Sequence, residues 1–304
     1  MCIALISTAH PSYSLIIIDN RDEFLHRPTS SPDWWPEPFS YVLGSRDLAR
    51  ATHGTWMGVT KQGKIAVLTN YREDKAAEAI GVHSRGRIVN SWLTGPPDEQ
   101  QTTRDFVQAM VASPEARQVG GFSLVCGRIN EPLAIVSNRS DDMDQITWVA
   151  AEKNQTRGLS NTSVDDRTWP KILDGEKLMQ EAIEAHVEAR EHEDALVERL
   201  LQVLDTDTLP RLPKEDTTVD SYIKHLRKSI FIPVIGKEET KQPPVHGTVE
   251  HNYTSGPYGT QKQTILLAQH DGRVRYFERT LYDSDVQAVP IGQGDRSFEF
   301  YVQK

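Results

Sequence analysis

The chain opens Met1-Cys2-Ile3-Ala4-Leu5-Ile6-Ser7, so a thiol sits directly behind the first methionine. Removal of Met1 would leave one residue carrying both a thiol and a free α-amine. That residue is a nucleophile and its base in one: a thiolate attacks a carbonyl, and an amine with a pKa near ~8 relays the proton. A small buried thiol is more often ordinary core material. The setting raises this one, because a short turn at His10-Pro11 and the run "SLIIID" bring Asn20-Arg21-Asp22-Glu23 back beside the chain start. Asp22 can accept a hydrogen bond from a protonated α-amine and hold it against the thiol; the plainer alternative is an aspartate satisfied by turn amides. Arg21 and Glu23 would then brace the stretch, and an exposed pair of that kind is worth roughly 0–1 kcal/mol. Asn70 ends the run "AVLTN", where it either forms a turn or aims its amide N–H at a developing oxyanion.

These residues need a sheet to position them. Residues 1–20 read as two strands joined by a tight turn, the second so continuously apolar that both of its faces must be covered. Strands return over Thr55–Val59 and Lys64–Thr69, with a hairpin turn at Lys61-Gln62-Gly63. "FSLVCG" and "PLAIVSN" form another antiparallel pair, and the chain closes with strands at Thr264–Gln269, Arg273–Thr280 and Ser297–Val302. Helical periodicity marks Ser84–Leu93, Thr102–Ala112 and a region from about Trp169 to Asp205. Strands at both ends with helices between predict an α+β protein, an αββα sandwich of two antiparallel sheets in a single domain. The Pro- and Trp-rich stretch from Arg27 to Gly44 suits a lid over a pocket and a packed surface loop equally well. The polar, aperiodic residues 235–257 read as a flexible insertion.

The same segments carry a resemblance. "MCIALIS…DNRDEF", "GTWMGVTKQGKIAVLTNYRE", "SRGRIV", "RGLSNTSVDDRTWPK" and "YGTQKQTILL" together resemble the NRDE family, also called the transport and Golgi organisation protein 2 family. That family is similar to the N-terminal-nucleophile hydrolases, with bile salt hydrolases and penicillin V acylases as its catalytically understood relatives. The resemblance implies a site in which Cys2 attacks, Asp22 orients the α-amine, and Asn70 and Asn161 supply oxyanion donors, which if preorganised are worth roughly 3 kcal/mol each. It also exposes two departures. Gln261 stands where those relatives carry an arginine after the glycine of "YGT", and Asp19 stands where the acylases carry another; a glutamine cannot hold a thiolate in its charged form. Lys262 should lie on the opposite face of its strand. The missing cation would have to come from Arg21 or Arg72, which with Gln261 and Trp56 are the candidate binding residues. Trp56, in "GTWMGV", reads more simply as core.

Two functions follow as expectations. One is an N-terminal cysteine hydrolase cleaving an amide or thioester of an amphipathic acyl substrate. The other is a non-catalytic carrier of haem or of acyl-CoA and lipid; the resemblance links it to haem trafficking, lipid homeostasis and Golgi or secretory organisation. Neither requires a bound cofactor. A net charge of -9 without a Lys/Arg run argues against nucleic acid. Two cysteines, Cys2 and Cys126, make no disulfide framework and fit a reducing compartment. The ten histidines lack metal-ligand spacing, and no Cys-x-x-Cys-His is present for covalent haem attachment. The start lacks the pattern of a signal peptide, and no apolar run approaches the ~20 residues of a transmembrane helix. The expected location is cytoplasmic, with peripheral association at Golgi, endoplasmic reticulum or mitochondria implied by the resemblance.

Overall fold

The computed structural model describes residues 2–71, 85–96, 101–114, 116, 119–213, 218–236, 253 and 255–303. The first strand, β1 (Ile3–Ser7), pairs antiparallel with β2 (Tyr13–Phe24). Two strands of the facing sheet's edge follow, β3 (Asp33–Trp34) and β4 (Val42–Gly44), then its hairpin β5 (Met57–Thr60) and β6 (Lys64–Asn70). Helices α1 (Gly86–Leu93) and α2 (Thr103–Ala112) precede β7 (Phe122–Arg128), β8 (Leu133–Ser137), β9 (Thr147–Val149) and β10 (Thr156–Ser160). Then come α3 (Pro170–Ala189), α4 (Glu193–Leu204) and the closing strands β11 (Tyr258–Gln269), β12 (Arg273–Thr280) and β13 (Asp295–Tyr301).

One sheet has the order β10-β1-β2-β11-β12-β13 and the other β3-β4-β5-β6-β7-β8-β9, every pair antiparallel. The alternation of side chains sorts the core into layers. Ala4, Ile6, Leu15, Ile17, Leu266 and Tyr276 meet Val59, Ile65, Val67 and Val125 between the sheets. Ile3, Leu5, Ile16, Ile18, Ile265 and Leu267 point the other way, against Met179, Ile183, Leu196, Leu200 and Leu204 of α3 and α4. On the far side Ala66, Leu68, Leu124 and Val136 pack against Ile88, Val89, Trp92, Phe106 and Val107 of α1 and α2. The αββα layering expected from the sequence is therefore present, and the unbroken apolar run of β2 has the two covered faces it requires.

Local signals explain several boundaries. Thr102 caps α2 in a reciprocal box with Asp105, whose backbone N–H donates to Thr102 Oγ1 at 3.1 Å. The region expected to be helical from Trp169 to Asp205 is two helices, not one. Arg190 adopts φ 51° and ends α3, and His192 caps α4 by accepting from the Ala195 N–H. Of the Arg27–Gly44 stretch, residues near its end form the sheet edge, with Trp35 buried and its Nε1 donating to Gly44 O at 3.0 Å. The tryptophan is packing material. The final strands start earlier than expected, β11 at Tyr258 and β13 at Asp295. Most of the expected flexible insertion, residues 237–252 and 254, lies outside the described residues.

Candidate active site

Cys2 sits where two strand pairings meet. Ile3 lies opposite Ser160 in β10 and opposite Asn20 in β2, so the next step outward sets Cys2 between Asn161 on one flank and Arg21 on the other. Ser160 Oγ donates to the Cys2 carbonyl at 2.6 Å, and Cys2 Sγ lies 3.8 Å from the Asp22 carbonyl that accepts from it. The residue is buried, at 7% exposure. Burial pushes the thiol up to about 11, and the carboxyls of Asp19 and Asp22 oppose its ionisation further, against the positive charge of the chain start. Cys2 thus sits as a neutral thiol until something takes its proton.

The polar cluster is not a loop after the strand, as its composition suggested, but the last part of β2 itself. Each member is claimed separately. Asn20 Nδ2 donates to Leu204 O at 2.8 Å and to Ile230 O at 3.0 Å, closing the end of α4 over the sheet. Arg21 bonds Asp47 at 3.1 Å, lies 4.7 Å over the Trp56 ring and donates to Gln261. Asp22 Oδ1 accepts from Thr260 Oγ1 at 2.7 Å, and its carbonyl accepts from Tyr258 OH at 3.0 Å. Glu23 accepts from the Phe24 N–H.

Gln261 has a physical reason for its position. The ladder between β11 and β2 slips between Thr260 and Lys262, which leaves Gln261 in a bulge. There its side chain accepts from Arg21 and donates to Leu25 O at 3.0 Å. Arg21 and Gln261 are thus hydrogen-bonded to each other and to groups other than the thiol. The slip also brings Lys262 opposite Arg21, where its ammonium bonds Glu278 at 2.9 Å and Ser30 O at 3.1 Å. Arg72, the other proposed cation, lies outside the described residues. Trp56 is buried in the layer between the sheets, with its indole N–H lacking a hydrogen-bond partner among the described residues.

The two asparagines arrive from different sheets. Asn161 follows β10 and is 5% exposed, with Oδ1 buried and unpaired among the described residues. Asn70 ends β6, whose Thr69 Oγ1 donates to Ser160 O at 3.0 Å and so ties the facing sheet to the strand beside Cys2. Tyr71 donates its N–H to Gly121 O, so the N–H of Asn70 points the opposite way, away from β7 and past the end of β5.

One charged group escaped the sequence reading. Lys171, in the first turn of α3, is fully buried with Nζ 4.0 Å from Asp22 Oδ2. Burial drives its ammonium below the ordinary lysine range, while Asp22, Cys2 and Asp19 pull the other way. Asp22 is raised by burial and held down by the chain start, by Lys171 and by Thr260. Asp19 stands well above the ordinary range, through burial first and then repulsion from Asp22 and Glu278, and neither of its oxygens has a hydrogen-bond partner among the described residues. Lys171 closes the quoted segment "TWPK", but a lysine in a first helical turn ordinarily reads as solvated.

A family model described as Transport and Golgi organisation 2 matches residues 1–283. The chain belongs to that family. It is 29% identical over 279 residues to the Transport and Golgi organization protein 2 homolog of Bos taurus, covering 90% of this chain and 89% of the relative. With the Homo sapiens homolog the identity is 28% over 298 residues, covering 96% and 94%. The Drosophila melanogaster protein of the same name is 22% identical over 289 residues, covering 90% and 88%. Among solved structures, a Caenorhabditis elegans N-acylethanolamine-hydrolyzing acid amidase ortholog aligns at TM-score 0.45 and 13% identity, over 75% of this chain and 98% of that one. A variant of the conjugated bile acid hydrolase of Clostridium perfringens aligns at 0.47 and 9%, over 99% and 98%. Likenesses that loose bear on neither substrate nor chemistry. No helix among the described residues is long and apolar enough to cross a membrane.

Proposed function

We propose that Cys2, once Met1 is removed, acts as an N-terminal thiol nucleophile on the amide or thioester carbonyl of an amphipathic acyl substrate. What supports this reading is that the buried thiol has the Asp22 carbonyl at 3.8 Å and Asn161 beside it in register, while β6, which Asn70 closes, is tied through Thr69 to Ser160. The freed α-amine takes the thiol proton as sulfur bonds the carbonyl carbon, and Asp22 orients the resulting ammonium. The oxyanion is met by the amides of Asn161 and Asn70. The ammonium then protonates the departing amine or thiolate as its bond to carbon breaks, and water releases the acyl group from sulfur. Ala4 and Leu159, paired next along the strands in the layer between the sheets, make the neighbourhood of Cys2 apolar.

Intact mass of the purified protein reads the first condition, since a retained Met1 leaves an amide nitrogen and no base. If Met1 is absent, parent and Cys2→Ala are compared on panels of acyl amides and acyl thioesters; equal turnover by the two rejects the nucleophile. In a second reading Met1 stays, the buried thiol keeps its proton, and the protein carries haem or an acyl-CoA at a membrane surface without cleaving it. Saturable binding of haemin or palmitoyl-CoA by the full-length protein supports that reading, and its absence rejects it.

A further inference from the structure

We propose that Lys171 is the positioning cation of the Cys2 site, supplying from helix α3 the positive charge that neither β2 nor β11 delivers. The inference rests on the reading of Cys2 as the nucleophile and names the group that makes its ionisation feasible. The fully buried ammonium stands in the first turn of its helix, where the helix dipole is itself positive. A lysine is stable there only when carboxylates compensate it. Asp22 stands at 4.0 Å, and Thr260 fixes Asp22 from the other side.

Among the described residues, two other cations near the site are committed elsewhere. Arg21, opposite Cys2, is held by Asp47, Gln261 and the Trp56 ring. Lys262 is held by Glu278, Ser30 and Thr280. Asp19 and Asp22 both lie close enough to oppose a charge on sulfur. Without a neighbouring cation, a thiolate would form beside two carboxyls in a buried site. Lys171 stands 4.0 Å from the Asp22 carboxylate, and the carbonyl of the same Asp22 takes the Cys2 thiol hydrogen, so one residue joins the cation to the sulfur. It keeps Asp22 ionised, and therefore able to accept from the α-ammonium, and it offsets the developing thiolate.

The test is the pH dependence of Cys2 alkylation by iodoacetamide, followed on the Cys2 peptide by mass spectrometry in the folded, full-length protein. Lys171→Met should move the alkylation midpoint up; a shift of about one pH unit slows the reaction about tenfold at any pH below the midpoint. Lys171→Arg should restore most of the rate. A purely structural lysine predicts a lower melting temperature for Lys171→Met with an alkylation profile that coincides with the parent's, and that result overturns the proposal. Should Lys171→Met fail to fold, the same comparison is made between Asp22→Asn and the Asp22→Asn, Lys171→Met double variant, in which Asp22 is no longer left uncompensated by the lysine's removal. Coincident midpoints there also overturn it. Alkylation needs neither substrate nor turnover, so a protein that hydrolyses nothing can still show the shift, and a hydrolase can lack it.

Discussion

Arg21 and Gln261 are hydrogen-bonded to each other across the β2–β11 pairing, the glutamine in a bulge that the ladder opens for it. An arginine at 261 would set two guanidiniums face to face in a site where Gln261 is 1% exposed. Gln261→Arg is therefore expected to destabilise the fold by about 3–5 kcal/mol, the range for an uncompensated buried charge. Exchange of the two residues, Arg21→Gln with Gln261→Arg, should recover a large part of the loss. Urea denaturation of the single and double variants measures both, and a single variant as stable as the parent would show that the bulge tolerates the charge.

Asn20 carries a structural duty within the polar cluster. Its amide satisfies the carbonyls of Leu204 and Ile230 in a fully buried position. Asn20→Ala removes both bonds and strands two buried acceptors, at about 1–3 kcal/mol each. A loss of about 2–6 kcal/mol in denaturant titrations is expected, with faster amide exchange at the end of α4. A change under about 0.5 kcal/mol would mean that those carbonyls find other donors.

The strands were legible because their apolar runs have one stable solution, two covered faces for Ile16, Ile17 and Ile18 and alternation elsewhere. The polar end of β2 was not, because Asn, Arg, Asp and Glu are poor strand formers and only tertiary partners keep them extended. Those partners, Leu204 O for Asn20 and Thr260 for Asp22, lie 184 and 238 residues away in sequence. The convergence of Cys2, Asp22 and Asn161 was readable from the family motifs. Lys171 was not, since nothing local distinguishes a buried lysine from a solvated one in a first helical turn. The break at Arg190 was hidden for a similar reason: a left-handed helix end without glycine has no compositional mark.

Asp19 sets a pH dependence of definite sign. Its folded carboxyl stays protonated well above 3.8, whereas the unfolded chain ionises near that value. The folded state then binds the extra proton, so stability from this group is full below pH 3.8 and falls as pH rises toward the folded pKa. Asp19→Asn mimics the neutral acid and should stabilise the protein at pH 7 while changing little at pH 3.5. Chemical denaturation at the two pH values checks this; equal effects at both would show that Asp19 ionises alike in the two states.

His10 acts in the opposite direction. Its Nδ1 accepts from the Ser12 N–H at 3.0 Å, so Nε2 carries the hydrogen and donates to His186 Nδ1 at 3.1 Å. His186 in turn donates through Nε2 to His192 O at 3.2 Å, which completes the chain of hydrogen bonds that sets the His10 tautomer. A second proton on His10 would face the Ser12 donor. Burial, and then the neighbouring His186, push His10 down from 6.5 to about 4. The unfolded chain binds this proton first, so its contribution is complete above pH 6.5 and drains away as pH falls toward 4. Nearby, Glu193 is held at about 2, against the upward push of burial, by Arg273, Tyr13 and Arg275, and adds its own loss between pH 4.5 and 2. His10→Gln keeps an acceptor for Ser12 and a donor for His186 but cannot titrate. Its denaturation midpoints should change less than the parent's between pH 7.5 and 5, while the two fall in parallel below 4.5. If the variant loses as much stability as the parent over that upper interval, the histidine pair is not the source of the dependence.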